Sequence, residues 1–185
     1  GETIAVFGVG GIGLSSVIAA KLAQASKIIA VDVVEEKLER ARVVGATHLI
    51  HAKRDHVVSA IRELTGGKGV DVALEASGNA ESMELAFQSV RDKGGICIVA
   101  GNLPHGSQIS IDPFDLIKGK VLKGSWGGET NPDQDIPRYV DDALSGKLDL
   151  KQLITHRYPL EKVNQAFEDL ESKKLGRALI EMEHP

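Results

Sequence analysis

The sequence is poor in sulfur and in aromatic rings. Its 185 residues include one cysteine, Cys97, and aromatic side chains make up 4% of the chain. A lone cysteine excludes an intrachain disulfide and a zinc cage of several thiolates built from this chain. No apolar run approaches the roughly 20 residues of a membrane span, and the N-terminus lacks the pattern of a signal peptide. We therefore expect a cytoplasmic protein.

The chain also lacks an excess of positive charge. It carries 22 basic and 26 acidic residues, which gives a net charge of -4. That balance supplies no long-range attraction for nucleic acid or an anionic membrane, so we expect neither as a partner. The 42% of apolar residues suffice for one soluble domain with a sizeable core.

The first residues, Gly1-Glu2-Thr3, lead directly into an apolar strand without a starting methionine or a tail. We interpret the chain as an excised fragment, residues 1–185 of which form one domain.

Apolar runs of strand length alternate with segments of helical period through residue 101. Their apolar positions are nearly continuous, as expected for parallel strands buried on both faces. The predicted strands are Thr3 to Phe7, Lys27 to Val31, His48 to His51, Val70 to Glu75 and Gly95 to Ala100. The predicted helices are Ile12 to Ala25, Glu35 to Val44, Asp55 to Leu64 and Ala80 to Val90.

The regular alternation of predicted strands and helices ends after Gly101. Short strands are predicted at Gln108 to Ile111, Lys120 to Gly124 and Arg177 to Glu181, with helices at Asp133 to Leu144 and Leu160 to Ser172. The repeated strand-helix order predicts an α/β fold of the Rossmann type, a doubly wound parallel six-stranded sheet with helices on both faces.

The segment Gly8-Val9-Gly10-Gly11-Ile12-Gly13 matches the dinucleotide-binding fingerprint. It follows a predicted buried strand and opens a predicted helix, which is the context that gives the pattern its meaning. Gly8 would make the tight turn, Gly10 would let the backbone approach a pyrophosphate, and Gly13 would let helix and strand pack closely. The alternative is a glycine turn without a ligand.

Asp32 ends the second strand 19 residues beyond Gly13, close to the spacing of about 20 expected for the residue that binds the adenosine ribose. A carboxylate there repels a ribose phosphate, and the residues that follow, Val33 to Glu36, include no arginine to neutralise one. The pattern therefore favours NAD over NADP. The alternative role for Asp32 is a helix cap.

A second glycine-lysine cluster, Thr65 to Gly69, does not fit the phosphate loop of nucleotide hydrolases. That loop needs a glycine where Arg62 stands and a hydroxyl residue where Gly69 stands. We interpret the cluster as a helix-to-strand turn.

With these motifs placed, the chain resembles the coenzyme-binding domain of medium-chain, zinc-dependent alcohol dehydrogenases over nearly its whole length. The segments that carry the resemblance are Ile4 to Gly13, Val31 to Lys37, Ala41 to Thr47, Gly69 to Gly78 and Leu153 to Leu160.

The resemblance implies NAD as the cofactor and a set of contacts with it. The implied cofactor-binding residues are Gly8, Gly10, Gly11, Ile12, Gly13, Asp32, Val33, Lys37, Ser77, Gly78, Ala100, Gly101, Asn102, Trp126 and Arg177. It also implies an alcohol or aldehyde as substrate, a zinc ion on a separate catalytic domain, and a homodimer joined through the edge strands 108–111 and 120–124. No catalytic or metal-binding residue is assigned to this chain, because its six histidines show no paired metal spacing.

Two alternatives stay open: an NAD-binding module without chemistry of its own, and a zinc-free member of the quinone reductase type. A short-chain dehydrogenase is disfavoured because Pro159 separates Tyr158 from Lys162, two residues which that chemistry needs on one helix. We expect the isolated chain to be inactive, and the sequence does not specify which alcohol is used.

Overall fold

A computed structural model describes residues 1–172 and 175–182. Its contacts divide the chain into two compact units, Gly1–Asp135 and a second unit that begins at Ile136. Among the described residues, no helix combines the length and the apolar content needed to cross a bilayer.

The first unit is built on a six-stranded parallel sheet with the strand order β3-β2-β1-β4-β5-β6. The strands are β1 (Thr3–Phe7), β2 (Lys27–Asp32), β3 (His48–His51), β4 (Val72–Glu75), β5 (Ile96–Val99) and β6 (Val121–Gly124). The helices between them are α1 (Gly11–Leu22), α2 (Glu35–Val44), α3 (Val57–Leu64), α4 (Ala80–Ser89) and α5 (Pro113–Ile117).

Helices cover both faces of this sheet because successive side chains of a strand point to opposite sides. Ala5 and Phe7 share a buried cluster with Ile61 of α3 and Phe87 of α4. Val6 points the other way and lies against α1 at Gly13. The predicted Rossmann fold is confirmed in this unit.

A glycine ends the second helix, α2. Gly45 follows α2 with a φ of 132°, a backbone conformation that costs other residues a steric penalty. Its amide donates to the carbonyls of Ala41 and Arg42, so that the last turn of α2 is closed by hydrogen bonds.

The predicted strand at Gln108 to Ile111 is wrong, since this stretch forms neither helix nor strand. The Ser110 amide donates to Glu84 Oε1 over 2.7 Å instead of joining a strand ladder. Asp112 then caps α5 by accepting from the Phe114 amide. A four-residue β pattern forms no strand without a ladder partner, whereas β6 obtains one from β5.

The second unit contains a parallel pair, β7 (Ile154–Pro159) and β8 (Arg177–Glu181). Between them lie a 3-10 turn, Leu160–Lys162, and α7 (Val163–Glu171). Helix α6 (Pro132–Leu144) and a 3-10 turn, Leu150–Leu153, precede β7. Strand β7 was not expected from the sequence.

Tyr158 of β7 anchors a small core with Ala166 and Leu175. Its hydroxyl donates to Asp169 Oδ2 over 2.9 Å, and burial together with this hydrogen bond raises the pKa of the tyrosine. Tyr158 therefore lies on a strand and Lys162 in the turn after it, which confirms that the short-chain dehydrogenase arrangement does not form.

Candidate functional site: a dinucleotide cradle at the carboxyl end of the sheet

The strand order places a crevice at the centre of the six-stranded sheet. The chain builds outward from β1 to β2 and β3, and then returns to the other side of β1 to build β4, β5 and β6. The connections after β1 and β4 leave the sheet in opposite directions, so their carboxyl ends part at this point. Doubly wound sheets bind ligands there.

Glycine is favoured at each of the three fingerprint positions for a different physical reason. Gly8 has a φ of 80°, and Gly13 lies so close to β1 that an added Cβ would sit 2.0 Å from the Gly8 carbonyl oxygen. A Cβ on Gly10 would meet no atom within 4 Å. The first turn of α1 therefore closes on strand β1, while the surface at Gly10 stays open.

The amino end of α1 suits an anion. The helix begins at Gly11 after the cap residue Gly10, with no side chain capping it and no acidic residue in its first turn. The first amides of a helix have no partner within the helix and carry a partial positive charge. An incoming phosphate is the kind of acceptor that these amides can bind.

Asp32 connects two loops at the rim of the crevice. It is 9% exposed, Oδ2 accepts from the Val9 amide at 2.9 Å, and Oδ1 accepts from Val33 at 2.7 Å and Val34 at 3.0 Å. The cap residue of α2 is Val34, so Asp32 is not its helix cap. A carboxylate offers about four acceptor positions, so after these three hydrogen bonds it can still accept one from a ligand hydroxyl.

One cation near this rim was missed by the sequence analysis. Arg54, in the segment that follows β3, donates to Glu35 Oε2 at 2.8 Å, and both side chains are more than half exposed. It reaches α2 because β3 pairs with β2 in a register that sets His51 beside Asp32. No spacing rule in the sequence signals this pair.

Two further loops close against the glycine turn. A Cβ on Gly8 would lie 2.6 Å from Ser77 Cβ, and a Cβ on Gly78 would lie 2.5 Å from the carbonyl oxygen of Asn102. A Cβ on Gly101 would lie 2.3 Å from the Gly78 amide nitrogen. The loops after β1, β4 and β5 therefore touch through backbone, and a larger residue at these glycines would push them apart.

Glu75 lies beneath these loops and is fully buried. Its Oε1 accepts from the Ser77 amide at 2.8 Å, from the Ser77 hydroxyl, and from the Gly78 amide at 3.1 Å. Its backbone carbonyl accepts from the amides of Ala100 and Gly101. In the sequence, Glu75 stands out only as part of the Gly69 to Gly78 segment, although a charged residue that ends a buried strand is itself a signal of a functional or structural role.

The remaining residues predicted for the site are less enclosed. Ile12 and Val33 are 53% and 46% exposed, and Trp126, just beyond β6, is 90% exposed. Lys37 is half-buried on α2. Arg177 begins β8 in the second unit, where its amide donates to Thr155 Oγ1 at 3.1 Å, and its role at the pyrophosphate stays a prediction.

Cys97 lies in the middle of β5 and is fully buried. Burial, with the nearby charge of Glu75, raises the pKa of its thiol to about 12. The side chain therefore stays protonated at neutral pH and packs as a small apolar residue.

Within the ranges 1–172 and 175–182, no three His, Cys, Asp or Glu side chains gather as a metal site would require. One of the six histidines, His184, lies outside these ranges. The described residues do not fit a zinc ion, whereas the open glycine turn and the buried rim carboxylate fit a dinucleotide.

Comparison with known proteins agrees with this geometry. The sequence profile of a family described as Zinc-binding dehydrogenase matches residues 11–145. The chain belongs to this family. The resemblance to the coenzyme-binding domain of the medium-chain, zinc-dependent alcohol dehydrogenases is thereby confirmed.

Individual family members match along nearly the whole chain. The alcohol dehydrogenase class-2 isozyme 2 of Oryctolagus cuniculus is 38% identical over 182 residues, which are 97% of this chain and 48% of that protein. The crystal structure of benzyl alcohol dehydrogenase from Acinetobacter calcoaceticus superposes with a TM-score of 0.93 at 34% identity, covering 98% of this chain and 50% of the other.

A dehydrogenase homologue from Sinorhizobium meliloti, solved with NADP bound, has a TM-score of 0.87 at 30% identity and covers 97% of this chain and 52% of its own. Family membership alone therefore does not decide between NAD and NADP. The chain spans about half the length of the curated relatives it matches.

Proposed function

We propose that this chain is the NAD-binding domain, residues 1–185, of an alcohol dehydrogenase that transfers a hydride between an alcohol or aldehyde and NAD. The observation that carries the proposal is Asp32, whose carboxylate is held by three backbone amides beside the open turn at Gly10. A buried, fixed carboxylate at this rim accepts hydrogen bonds from a ribose and repels a ribose phosphate.

The chain's own contribution is to bind and orient the coenzyme. The helix amides at Gly11 and Ile12 would receive the pyrophosphate, and Asp32 with Lys37 would hold the adenosine ribose. The nicotinamide half would lie along the loops after β4 and β5. The residues assigned to that half are Ile12, Ser77, Gly78, Ala100, Gly101, Asn102 and Trp126, and Arg177 is assigned to the pyrophosphate.

Bound NAD supplies the hydride acceptor of the reaction. We place the catalytic zinc and the alcohol pocket in the other half of the whole protein, because no three His, Cys, Asp or Glu side chains among the described residues gather to hold a metal ion. It follows that the 185-residue chain alone oxidises no alcohol, even with added zinc.

We also propose a cytoplasmic homodimer. Among the described residues, β6 pairs with β5 alone, and Val121 at its start is 42% exposed. An open edge strand is a natural place for a second copy to extend the sheet. A single buried thiol is consistent with a reducing compartment.

Titration calorimetry of the purified chain with NAD and with NADP tests the coenzyme proposal. We expect NAD to bind at least about tenfold more tightly than NADP, which corresponds to about 1.4 kcal/mol of preference. The variant Asp32→Asn should weaken NAD binding and narrow the preference. Asp133→Asn makes the same charge change at an exposed residue of α6 and should leave both affinities unchanged.

Submicromolar NADP binding with no detectable NAD binding would overturn the assignment. Alcohol oxidation by the chain alone would overturn the placement of the chemistry in another half.

A further inference from the structure

A second cavity opens at the other end of the same sheet. It has a volume of about 900 Å³ and lies where β1, β4, β5 and β6 begin, whereas the dinucleotide cradle lies where strands end. The five residues of β1, at about 3.3 Å each, separate the two sites by about 15 Å. Nothing in the proposed coenzyme site uses this end of the sheet.

The cavity is strongly basic in a chain that is acidic overall. Six cationic and only two acidic side chains line it, although the whole chain has a net charge of -4. The lining cations are Arg62, Lys68, Arg91, Lys93, Lys118 and Lys120. Such a local excess of one sign raises the concentration of counter-ions in a concave site.

Of the two acidic side chains that line the cavity, one is paired within the protein and the other is exposed at the surface. Asp71 accepts from the Thr3 amide and hydroxyl at 2.8 Å and from Arg91 Nε at 2.6 Å. Burial alone would raise the pKa of Asp71, but these hydrogen bonds lower it to about 2. Asp71 is thus occupied at neutral pH, and Asp92 is exposed at the surface.

Three of the six cations are fixed in position, one of them being Lys118, whose Nζ lies 3.0 Å from Asp115 Oδ1. Arg91 also donates to the carbonyl oxygens of Asp92 and Lys93, so its guanidinium is tied to the turn before β5. Lys120 is 5% exposed and donates to the Gln88 carbonyl oxygen at 3.1 Å, with Asp115 at 3.3 Å. These contacts hold the floor of the cavity before any ligand enters.

The other three cations make no such contacts. Among the described residues, the side chains of Arg62, Lys68 and Lys93 have no carboxylate or carbonyl partner, and Lys68 and Lys93 are exposed. The lysine head carries three donors and the arginine head five. Their charge is available to an anion that enters the cavity.

The glycine-lysine turn, Thr65 to Gly69, forms part of the wall. The hydroxyl of Thr65 accepts from the Gly69 amide at 3.0 Å and closes the turn. Gly66 and Gly67 have φ values of 63° and 83°, and a Cβ on either would meet no atom within 4 Å. This turn therefore leaves open space beside Lys68, which is where an anion would sit.

We propose that this cavity binds a small polyanion of the phosphate-ester or diphosphate class. Its volume suits a small molecule, and arginine and lysine together are the usual partners of phosphoryl groups. The acidic balance of the whole chain disfavours an extended nucleic acid, which needs a basic surface along its length.

Pyrophosphate is the probe, titrated by calorimetry at low ionic strength into the 185-residue chain saturated with NAD. Saturation blocks the glycine turn, so heat that remains reports a second site. If the chain binds no NAD, the coenzyme proposal fails separately. The titration is then run without coenzyme on wild type and on the Gly10→Ala variant, whose added methyl group occupies the open space of the glycine turn.

We expect pyrophosphate to bind, and the double variant Lys68→Gln/Lys93→Gln to weaken it about tenfold or more, since two charge-assisted contacts are lost. The control Lys53→Gln/Lys151→Gln removes two exposed lysines outside the cavity and should leave the affinity unchanged. Because the four lysines are solvent-exposed, all variants should fold.

Each of four results would overturn the proposal. They are no binding at millimolar pyrophosphate, binding that NAD abolishes, equal affinity in the cavity and control variants, and tighter binding of an RNA oligonucleotide than of pyrophosphate.

Discussion

Substitution by alanine should have different effects at two glycines of the fingerprint. Gly13→Ala puts a Cβ 2.0 Å from the Gly8 carbonyl oxygen, 2.9 Å from the Gly8 carbonyl carbon and 3.3 Å from Val6 Cγ1. Gly10→Ala puts a Cβ into open space, at a φ of -78° and a ψ of -154° that alanine can adopt. The first change should therefore damage the fold, and the second should damage only the binding of coenzyme.

For Gly13, two contributions compete. Alanine is a better helix former by about 1 kcal/mol, whereas overpacking costs about 1 to 3 kcal/mol and more when backbone must move. The close contact is with backbone, so the clash dominates, and we expect a net loss of about 2 kcal/mol. For a chain of this size that lowers the Tm by about 4 to 8 °C.

For Gly10, the contributions nearly cancel. Alanine is a poorer N-cap than glycine by about 0.5 to 1 kcal/mol, and it stabilises by about 0.4 to 1 kcal/mol because the unfolded chain loses freedom. The Tm should stay within about 2 °C of wild type. The new methyl group occupies the space through which a pyrophosphate approaches, so NAD affinity should fall about tenfold or more.

Thermal unfolding followed by circular dichroism, together with calorimetric titration of NAD, measures both effects on each variant. The two variants are controls for one another, since each adds one methyl group within the same turn. An unchanged Tm for Gly13→Ala would refute the packing argument. Undiminished NAD binding by Gly10→Ala would refute the assignment of the open surface to the pyrophosphate.

Three further changes probe other parts of the chain. Glu75→Gln puts a neutral amide below the Ser77 loop and should weaken NAD binding about tenfold while leaving AMP binding unchanged, because Glu75 acts as a positioning residue for the nicotinamide half alone. Calorimetry with both ligands measures this. An equal loss of AMP binding would indicate a general structural effect. The pKa of Asp71 is lowered from 3.8 to about 2, so its stabilisation, about 2 kcal/mol, is complete above pH 3.8 and is lost as the pH falls through the folded pKa. In urea unfolding, Asp71→Asn should be less stable than wild type by that amount at pH 7 and nearly as stable as wild type near pH 2. A difference in the free energy of unfolding that stays constant with pH would contradict the Thr3 and Arg91 hydrogen bonds as the cause. Val121→Lys on the open edge of β6 should shift the light-scattering mass from two chains to one, and a wild-type mass of one chain at high concentration would contradict the proposed dimer.

The Rossmann half was predictable because its strands are buried on both faces. Residues of β1 and β2 read as continuous apolar runs, and each run is followed by a turn residue and a helical period. The fingerprint and Asp32 have fixed spacings because both lie within one strand-helix-strand unit. Local sequence therefore determined the position of Asp32 at the end of β2.

The features that sequence did not predict depend on contacts between distant residues. Strand β7, Ile154–Pro159, has three consecutive polar or charged residues, Thr155 to Arg157, and ends at a proline, so it carries a weak strand signal until β8 pairs with it. The stretch from Gln108 to Ile111 has the pattern of a strand but no ladder partner. The pair of Arg54 with Glu35 and the basic cavity likewise join segments whose proximity only the sheet register sets.

The central position of β1 has a consequence for how the chain is made. Thr3 pairs with Lys27 in β2, but its other neighbour, Asp71, lies 68 positions along the chain. During synthesis β1, β2 and β3 leave the ribosome before the strand that completes the centre of the sheet exists. Such a high contact order slows folding and leaves the apolar edge of β1 uncovered in the meantime. The nascent chain is therefore most prone to aggregate before residue 75 has emerged, and a chaperone that covers this edge would raise the yield of folded protein.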